Sequence, residues 1–301
     1  MSKAHGNARR PMRLADSTRK RLSRHAIQVF QDLGLERDPE LTTEPNALRA
    51  MLEARHLPVY EAALELEALA GGMPLPPDKH LGVFAALKAL EGGRPIDPSR
   101  LPRADGAALL PVVPKGYPSL WIGATGVLYL VDTDAVGVAP AFDSPTHYLE
   151  ALAIELETEP WPPDPEHRQW HHVSVAGLVG AEIAAVFDAP AFPPASGAHG
   201  AAFLREHLHV VEQDTPGFFV GTRVTTADTD EAVDALRAAL TTNLEVRWSG
   251  PSQRPRAGQR QVLTFTFGMG RGAPDREAAV WGGPGDYRIA SRRVGEPWGS
   301  R

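Results

Sequence analysis

Cysteine is absent from the 301 residues of the chain. Disulfide bonds, thiolate zinc sites, iron–sulfur clusters and cysteine nucleophiles are therefore excluded. Long hydrophobic runs are missing too, because no apolar stretch approaches the ~18 residues of a transmembrane helix. No apolar core follows the basic residues at the start, so a secretory signal is not expected. These absences fit a cytoplasmic protein without a membrane-embedded part.

The net charge of −6 conceals an uneven distribution. Residues 1–24 contain eight basic side chains and one acidic one, so they carry +7 and the rest of the chain carries −13. An acidic body repels phosphates and disfavours nucleic-acid binding, with the basic tail as the exception. It favours a basic partner instead.

Glycine and proline are abundant, at 28 residues each, which indicates many turns and linkers. The densest proline segment, EPWPPDP, begins at Glu159. Proline stiffens a chain and removes backbone donors, so this segment predicts a domain boundary. The predicted organisation is a disordered basic tail at 1–16, a first domain at 17–158, a linker at 159–168 and a C-terminal α+β domain at 169–301.

The first domain begins with a run of predicted helices. Ser17 is the predicted cap of a helix from Thr18 to Leu33, with Gly34 at its end. Because cations at its start oppose the helix dipole, an acidic neighbour is expected there. A second helix follows Pro45, and a third runs from 59 to 70.

Leu57-Pro58 separates the second and third helices, and Gly71-Gly72 ends the third, with the first glycine predicted to be left-handed. MPLPPDK after it reads as a loop, and the run from His80 to Gly93 predicts a helix, with a strand as the alternative for part of it.

The best-patterned stretch runs from Gly116 to Glu157. SLWIG, VLYLVD and AVGVAPAF predict three short strands, and the apolar character of VLYLVD suggests that both faces of its sheet are covered. Ser144 as cap and Pro145 at the first position predict a closing helix.

This order of motifs resembles the SUKH superfamily, which includes the Smi/Knr cell-wall regulators and many bacterial immunity proteins. The resemblance covers about residues 44–157. It consists of the helix–Leu-Pro–helix–Gly-Gly segment, the pattern apolar–Gly–x–x–Gly–apolar–Tyr–apolar–Asp from Ile122 to Asp132, and a helix after Phe142-Asp143-Ser144 that leads to Tyr148-Leu149. The long proline-rich insert between Met73 and Pro114 departs from the family pattern.

The resemblance implies an α+β domain, a SUKH-like antiparallel sheet with flanking helices, that binds another protein. Many bacterial relatives neutralise a toxin and contain no catalytic residues. Asp132, Asp134, Asp143 and Trp161 are the candidate partner-binding residues: the acids would face a basic toxin, while the tryptophan either contacts the partner or packs between domains. Simple turn formation is the alternative for Asp132 and Asp134.

The second half predicts a smaller α+β domain, because one strongly patterned helix from Asp228 to Asn243 lies among predicted strands. Residues 173–188 are predicted to be helical, and residues 201–214 a helix or a helix running into a strand.

Candidate chemistry in this half is limited to His207, His209 and Glu206. Two histidines two apart on a strand would face the same side, which is weakly typical of metal ligands. No metal or other cofactor is assigned. The GMGRG segment at 268–272 is interpreted as a hairpin loop, because no helix opens after it as a dinucleotide site requires.

The leading hypothesis is an immunity protein that blocks a bacterial toxin by occlusion. The alternatives are a metal-dependent enzyme centred on the C-terminal half, and a non-catalytic adaptor or structural component of a larger assembly.

Overall fold

The chain divides into two compact units in a computed structural model. One comprises Met1–Val138 and Ser144–Glu157, and the other comprises Ala139–Asp143 and Thr158–Arg301. The predicted tail at 1–16 and linker at 159–168 lie outside the described residues. The structure describes residues 20–35, 37–75, 79–91, 96–113, 119–132, 137–158, 171–176, 178–226, 261–263, 276–281 and 288–293.

The helices of the first unit are short and amphipathic, and each buries an apolar stripe. They are α1 (Arg24–Asp32), α2 (Pro45–Ala54), α3 (Glu61–Ala70), α4 (Val83–Glu91) and α5 (Pro145–Thr158).

The strands around these helices form two hairpins and a sheet. The hairpins are β1 (Met73–Leu75) with β2 (Lys79–Leu81), and β3 (Arg103–Ala104) with β4 (Ala107–Ala108). The sheet contains β5 (Leu110–Val113), β6 (Ser119–Ile122) and β7 (Leu128–Asp132), in that order. The next strand in the chain is β8 (Gly137–Phe142), of which all but the first two residues belong to the second unit.

The core of the first unit lies at β5 and β6, in which every residue is buried. These strands and β7 pair antiparallel, and α4 packs against β5. Ser119 satisfies the polar groups there: its Oγ donates to the Val131 carbonyl at 3.0 Å and accepts from Trp121 Nε1 at 2.8 Å. Apolar residues on both faces of these strands thus agree with the covered sheet predicted from VLYLVD.

The second unit contains two antiparallel sheets. In the first, of order β10-β11-β12-β9, α6 packs against β10 and β11. The second has the order β13-β14-β15. The elements are β9 (His171–Ala176), α6 (Gly180–Val186), β10 (Gly200–Arg205), β11 (Leu208–Thr215), β12 (Phe219–Thr226), β13 (Gln261–Leu263), β14 (Arg276–Trp281) and β15 (Arg288–Arg293).

The α+β class is confirmed, because helices accompany antiparallel sheets in both units. The helix predicted at 228–243 lies outside the described residues. Among the helices that are described, none has the length and apolar character needed to cross a bilayer.

Three predicted helix boundaries are confirmed. Gly34 follows α1 with a φ of +59°, and Pro45 is the first residue of α2. Ser144 caps α5, because its Oγ accepts from the His147 amide at 3.1 Å. Each of these residues acts through local backbone geometry, which its type largely determines.

The predicted start of the first helix is wrong. Its cap is Ser23 and not Ser17, since Ser23 is extended and its Oγ accepts from the Ala26 amide at 3.1 Å. Both serines are equally good caps on local grounds. A tertiary contact to Ser23, described below, distinguishes them.

The predicted role of Gly71 is also wrong. Gly71 leaves α3 with φ −55° and ψ 132°, and Gly72 is the left-handed residue, at φ +77°. The segment after it, expected to be a loop, contains β1 and the start of β2. The hairpin accommodates Pro74 opposite His80, because a proline is tolerated in a short strand that lacks a full set of neighbours.

Two predictions in the second unit are corrected, namely a helix over residues 173–188 and a helix, or a helix running into a strand, over residues 201–214. Residues 173–188 divide into β9 and the short helix α6. Residues 201–214 form the hairpin β10–β11, in which Arg205 pairs with Leu208 across the two-residue turn Glu206-His207. His207 adopts a φ of +65° there, a conformation that a helix does not contain.

Candidate functional site

The predicted partner-binding acids that are described do not share one exposed surface. Asp132 ends β7, and its side chain is 5% exposed. Asp143 accepts a hydrogen bond from the Ala198 amide at 2.7 Å and lies 3.6 Å from Nε2 of His199. Asp134 and Trp161 lie outside the described residues. Asp132 is therefore too buried to offer much contact area to a partner.

The weak metal candidates occupy a turn and a buried strand position. Glu206 Oε1 lies 3.2 Å from His207 Nε2, and both side chains are largely exposed. His207 belongs to the turn and not to a strand, whereas His209 is 3% exposed on β11, between Leu204 and Thr225 in the register. In the part of the chain that the structure describes, no three potential ligands come together to hold a metal ion.

The described residues instead contain two buried carboxyl groups that join distant parts of the first unit. The first is Glu67 on α3, and the second is Glu150 on α5. Both are almost fully buried, at 0% and 1% exposure. Burial of a carboxyl group is costly unless hydrogen bonds compensate for it, so each such group has a specific structural environment.

Glu67 lies in what we name the glycine junction, formed by Arg37, Glu67, Gly71, Gly72 and Gly82. Its Oε2 accepts from the Phe84 amide, at the start of α4, at 3.2 Å. Its Oε1 is buried and makes no hydrogen bond with any described residue. The junction therefore brings together the end of α3, the β1–β2 hairpin and the start of α4 around one carboxyl group.

Arg37 closes the junction from the preceding loop. Its Nε donates to the Gly71 carbonyl at 2.6 Å, its Nη2 to the Glu67 carbonyl at 2.8 Å and its Nη1 to the Ala68 carbonyl at 3.3 Å. These carbonyls belong to the end of α3, where intrahelical donors run out. The Glu67 carbonyl also accepts from the Gly71 amide, and the Gly71 carbonyl from Thr42 Oγ1. A single guanidinium thus caps the helix and supplies positive charge near Glu67.

The Glu67 carboxyl group fits into the junction because Gly71 and Gly82 have no side chains. A Cβ atom at Gly71 would lie 2.5 Å from the Glu67 Cδ, and one at Gly82 would lie 2.8 Å from Oε2. Real Cβ atoms do not approach neighbours that closely, so any side chain at either position would displace the carboxyl group. This requirement explains the first glycine of Gly71-Gly72, while the positive φ explains the second.

Burial raises the pKa of Glu67 to about 7. The amides of Phe84 and Thr43 and the Arg37 guanidinium act in the opposite direction, because they favour the ionised form. Desolvation outweighs them, so protonation of this carboxyl group changes near neutral pH.

Sequence reasoning missed Glu67, although a signal is present. Ala63, Glu67 and Ala70 lie at i, i+4 and i+7 in α3, so the carboxyl group falls within the apolar stripe of the helix. An acidic residue inside such a stripe, four residues before Gly-Gly, indicates a buried carboxyl group that a glycine accommodates.

Glu150 fixes the start of α1. It accepts hydrogen bonds from the Ser23 amide at 2.5 Å and from Ser23 Oγ at 2.6 Å. Arg21, just before the helix, forms an ion pair with Glu65. The acidic neighbour predicted for the basic start of α1 is therefore confirmed, and the contact with Glu150 explains why Ser23 is the cap.

Replacing Glu150 by glutamine should lower the free energy of unfolding by about 2 kcal/mol, because the glutamine amide places a donor against the two donors of Ser23. Urea denaturation measures this loss, and hydrogen exchange should be faster in the amides of α1. Glu155→Gln, at an exposed position of the same helix, is the matched control and should change stability by less than ~0.5 kcal/mol. Equal effects of the two variants would contradict this role of Glu150.

Neither buried carboxyl group is placed to act on a substrate, since neither is open to solvent. Comparison of the chain with protein-family models, with curated proteins and with solved structures gives no match.

Proposed function

We propose that the first unit is a protein-binding module of the SUKH type, and that it acts as an immunity protein that occludes a basic bacterial toxin in the cytoplasm. The observation that carries the proposal is the order of its motifs. Helices α2 and α3 flank Leu57-Pro58, Gly71-Gly72 ends α3, and α5 begins after Phe142-Asp143-Ser144. The antiparallel pair β6–β7 lies between them.

Charge in the last part of this unit supports a basic partner. Residues 119–158 contain no lysine or arginine and six acidic residues: Asp132, Asp134, Asp143, Glu150, Glu155 and Glu157. Asp132 and Glu150 are buried, and Asp143 contacts Ala198 and His199. We therefore assign the partner contact to Glu155, which is exposed near the end of α5. Complementary charge raises the association rate and excludes partners of the wrong sign.

The placement of the last two acids is unfavourable for the helix itself. Glu155 and Glu157 lie in the final turns of α5, which contain no basic residue, and negative charge at a helix C-terminus typically costs 0.3–1 kcal/mol. His25, with Nε2 3.5 Å from Glu157 Oε2, offsets part of this cost when protonated. Acidic groups at this position are suited to contact with a cationic surface.

The test is binding and inhibition of the product of the adjacent gene. Purified full-length protein should bind that product and abolish its toxic activity at a stoichiometric ratio. Glu155→Lys should weaken binding about tenfold, mainly through slower association at low salt. Glu61→Lys is the control, since Glu61 is 81% exposed and lies on α3 outside the acidic region. If the unaltered protein neither binds this product nor inhibits it, the immunity function is refuted.

A further inference from the structure

We propose that Glu67 is a proton-controlled latch: the glycine junction closes around its neutral carboxyl group and opens when the group ionises. This inference concerns the conformation of the first unit and does not depend on the proposed function. It rests on a fully buried carboxyl group, one oxygen of which accepts no hydrogen bond from the residues that the structure describes.

The closed junction suits a protonated carboxyl group better than an ionised one. An ionised carboxylate has two acceptor oxygens that each need donors. Among the described residues, the Phe84 amide donates to Oε2 and the Thr43 amide also favours the ionised form, whereas Oε1 accepts no hydrogen bond and a Cβ atom at Gly71 would lie against it. Ionisation therefore leaves a buried charge incompletely compensated, and solvent can reach it if the glycines move apart.

Individual hydrogen bonds that join the elements of the glycine junction can be followed by their amide donors. The Gly72 amide donates to the Leu81 carbonyl at 2.7 Å, the Gly82 amide to the Val112 carbonyl at 3.3 Å and the Phe84 amide to Glu67 itself. All three donors lie within the junction or at its edge. Their exchange with solvent deuterium reports on opening directly.

Other charged groups around the junction have identifiable positions. Arg37 faces Glu67 from the preceding loop, and Glu44 at the start of α2 acts on Arg37. His80 on the hairpin lies 3.9 Å from Asp38, and Lys88 on α4 donates to the Glu40 carbonyl. Lys79 also lies on β2. Arginine stays charged across this range, whereas histidine titrates within it, so His80 requires its own control.

The sign of the pH effect follows from the direction of the pKa shift. The carboxyl group has a pKa of about 7 when the junction is closed and an ordinary value of 4.5 when it is solvated. The closed form is therefore fully favoured below pH 4.5, and this preference is lost as the pH rises through 7. The equilibrium constant for opening should rise about tenfold per pH unit within that window, and about 300-fold in total.

The experiment is amide hydrogen exchange on the full-length chain at pH 5 to 8, with each rate corrected for intrinsic exchange. Protection of the Phe84 and Gly72 amides should fall with pH in the unaltered protein. Protection of the Gly72 amide should be independent of pH in Glu67→Gln. The controls Glu61→Gln and His80→Gln should retain the pH dependence. A flat response in the unaltered protein, or the same slope in Glu67→Gln, would overturn the proposal.

Direct titration of Glu67 keeps the proposal testable if Glu67→Gln does not fold. The side-chain carboxyl carbon of Glu67, followed by ¹³C NMR in the unaltered protein, should show a midpoint near pH 7. A midpoint near pH 4.5 would show that closure does not depend on protonation, and the latch would be rejected.

Discussion

Replacing Gly72 by alanine is expected to lower the free energy of unfolding by about 3 kcal/mol. Gly72 has a φ of +77°, which costs an L-residue about 1 kcal/mol or more. A Cβ atom there would also lie 2.8 Å from the Asp38 carbonyl oxygen, and relief of such a clash typically costs a further 1–3 kcal/mol. Chemical denaturation monitored by tryptophan fluorescence measures the loss.

Gly106→Ala is the matched control for this prediction. Gly106 has nearly the same φ, +80°, but a Cβ atom there would meet nothing within 4 Å. Its replacement should cost only the backbone strain, about 1 kcal/mol. The difference between the two variants then isolates the close approach of Gly72 to the loop at Asp38. If the two variants lose equal stability, the packing explanation for the second glycine of Gly71-Gly72 is incorrect.

Replacing Arg37 by alanine is expected to cost about 3 kcal/mol as well. The substitution removes a donor from three carbonyl groups at the end of α3, of which the Ala68 carbonyl keeps no other donor among the described residues, and it removes the cation that faces Glu67. Unsatisfied buried acceptors cost about 1–3 kcal/mol, and loss of one member of a buried charge pair costs more. Thermal and urea unfolding measure the difference in stability between Arg37→Ala and the unaltered protein. This difference should be largest at pH 8, where Glu67 is ionised.

Two further variants define the role of Arg37. Arg37→Lys retains the charge but not the planar set of donors, so it should recover less than half of the lost stability. Arg49→Ala removes a guanidinium whose partner, Glu61, is 81% exposed, and it should change stability much less than Arg37→Ala does. Equal losses for Arg37→Ala and Arg49→Ala would mean that Arg37 contributes no more than a surface charge.

The parts of the fold that the sequence predicts are those that local chemistry determines. Ser144 and Pro145 start α5 as predicted, because a serine cap and a first-turn proline need no distant partner. The strands at 119–142 follow from short apolar runs between turns. The α+β class follows from the mixture of these patterns.

The parts that were mispredicted depend on residues far away in the chain. Ser17 and Ser23 are equivalent caps in isolation, and the contact with Glu150 distinguishes them. Burial of Asp132 likewise depends on the packing of a whole sheet. The β1–β2 hairpin differs from the predicted loop, because the prolines around Pro74 are more typical of a loop than its short apolar pattern is of a strand.

The candidate site was the least predictable feature. The sequence indicates acids for partner contact and spaced histidines for metal binding, yet the buried carboxyl groups of Glu67 and Glu150 lie on helices. Glu67 could have been found from its place in the apolar stripe of α3, but its neighbours Arg37 and Gly82 come from other segments. No spacing rule brings these three residues together.

The contact between Ser23 and Glu150 also determines when α1 can be fixed in place during synthesis of the protein. The two residues are 127 positions apart, so α1 leaves the ribosome long before the group that anchors its first turn has been made. At ~5–20 residues per second, this interval is about 6 to 25 s. Throughout it, the first turn of α1 lacks this contact. Among the described elements of its unit, α1 is therefore one of the last to be secured, although it precedes the others in the chain.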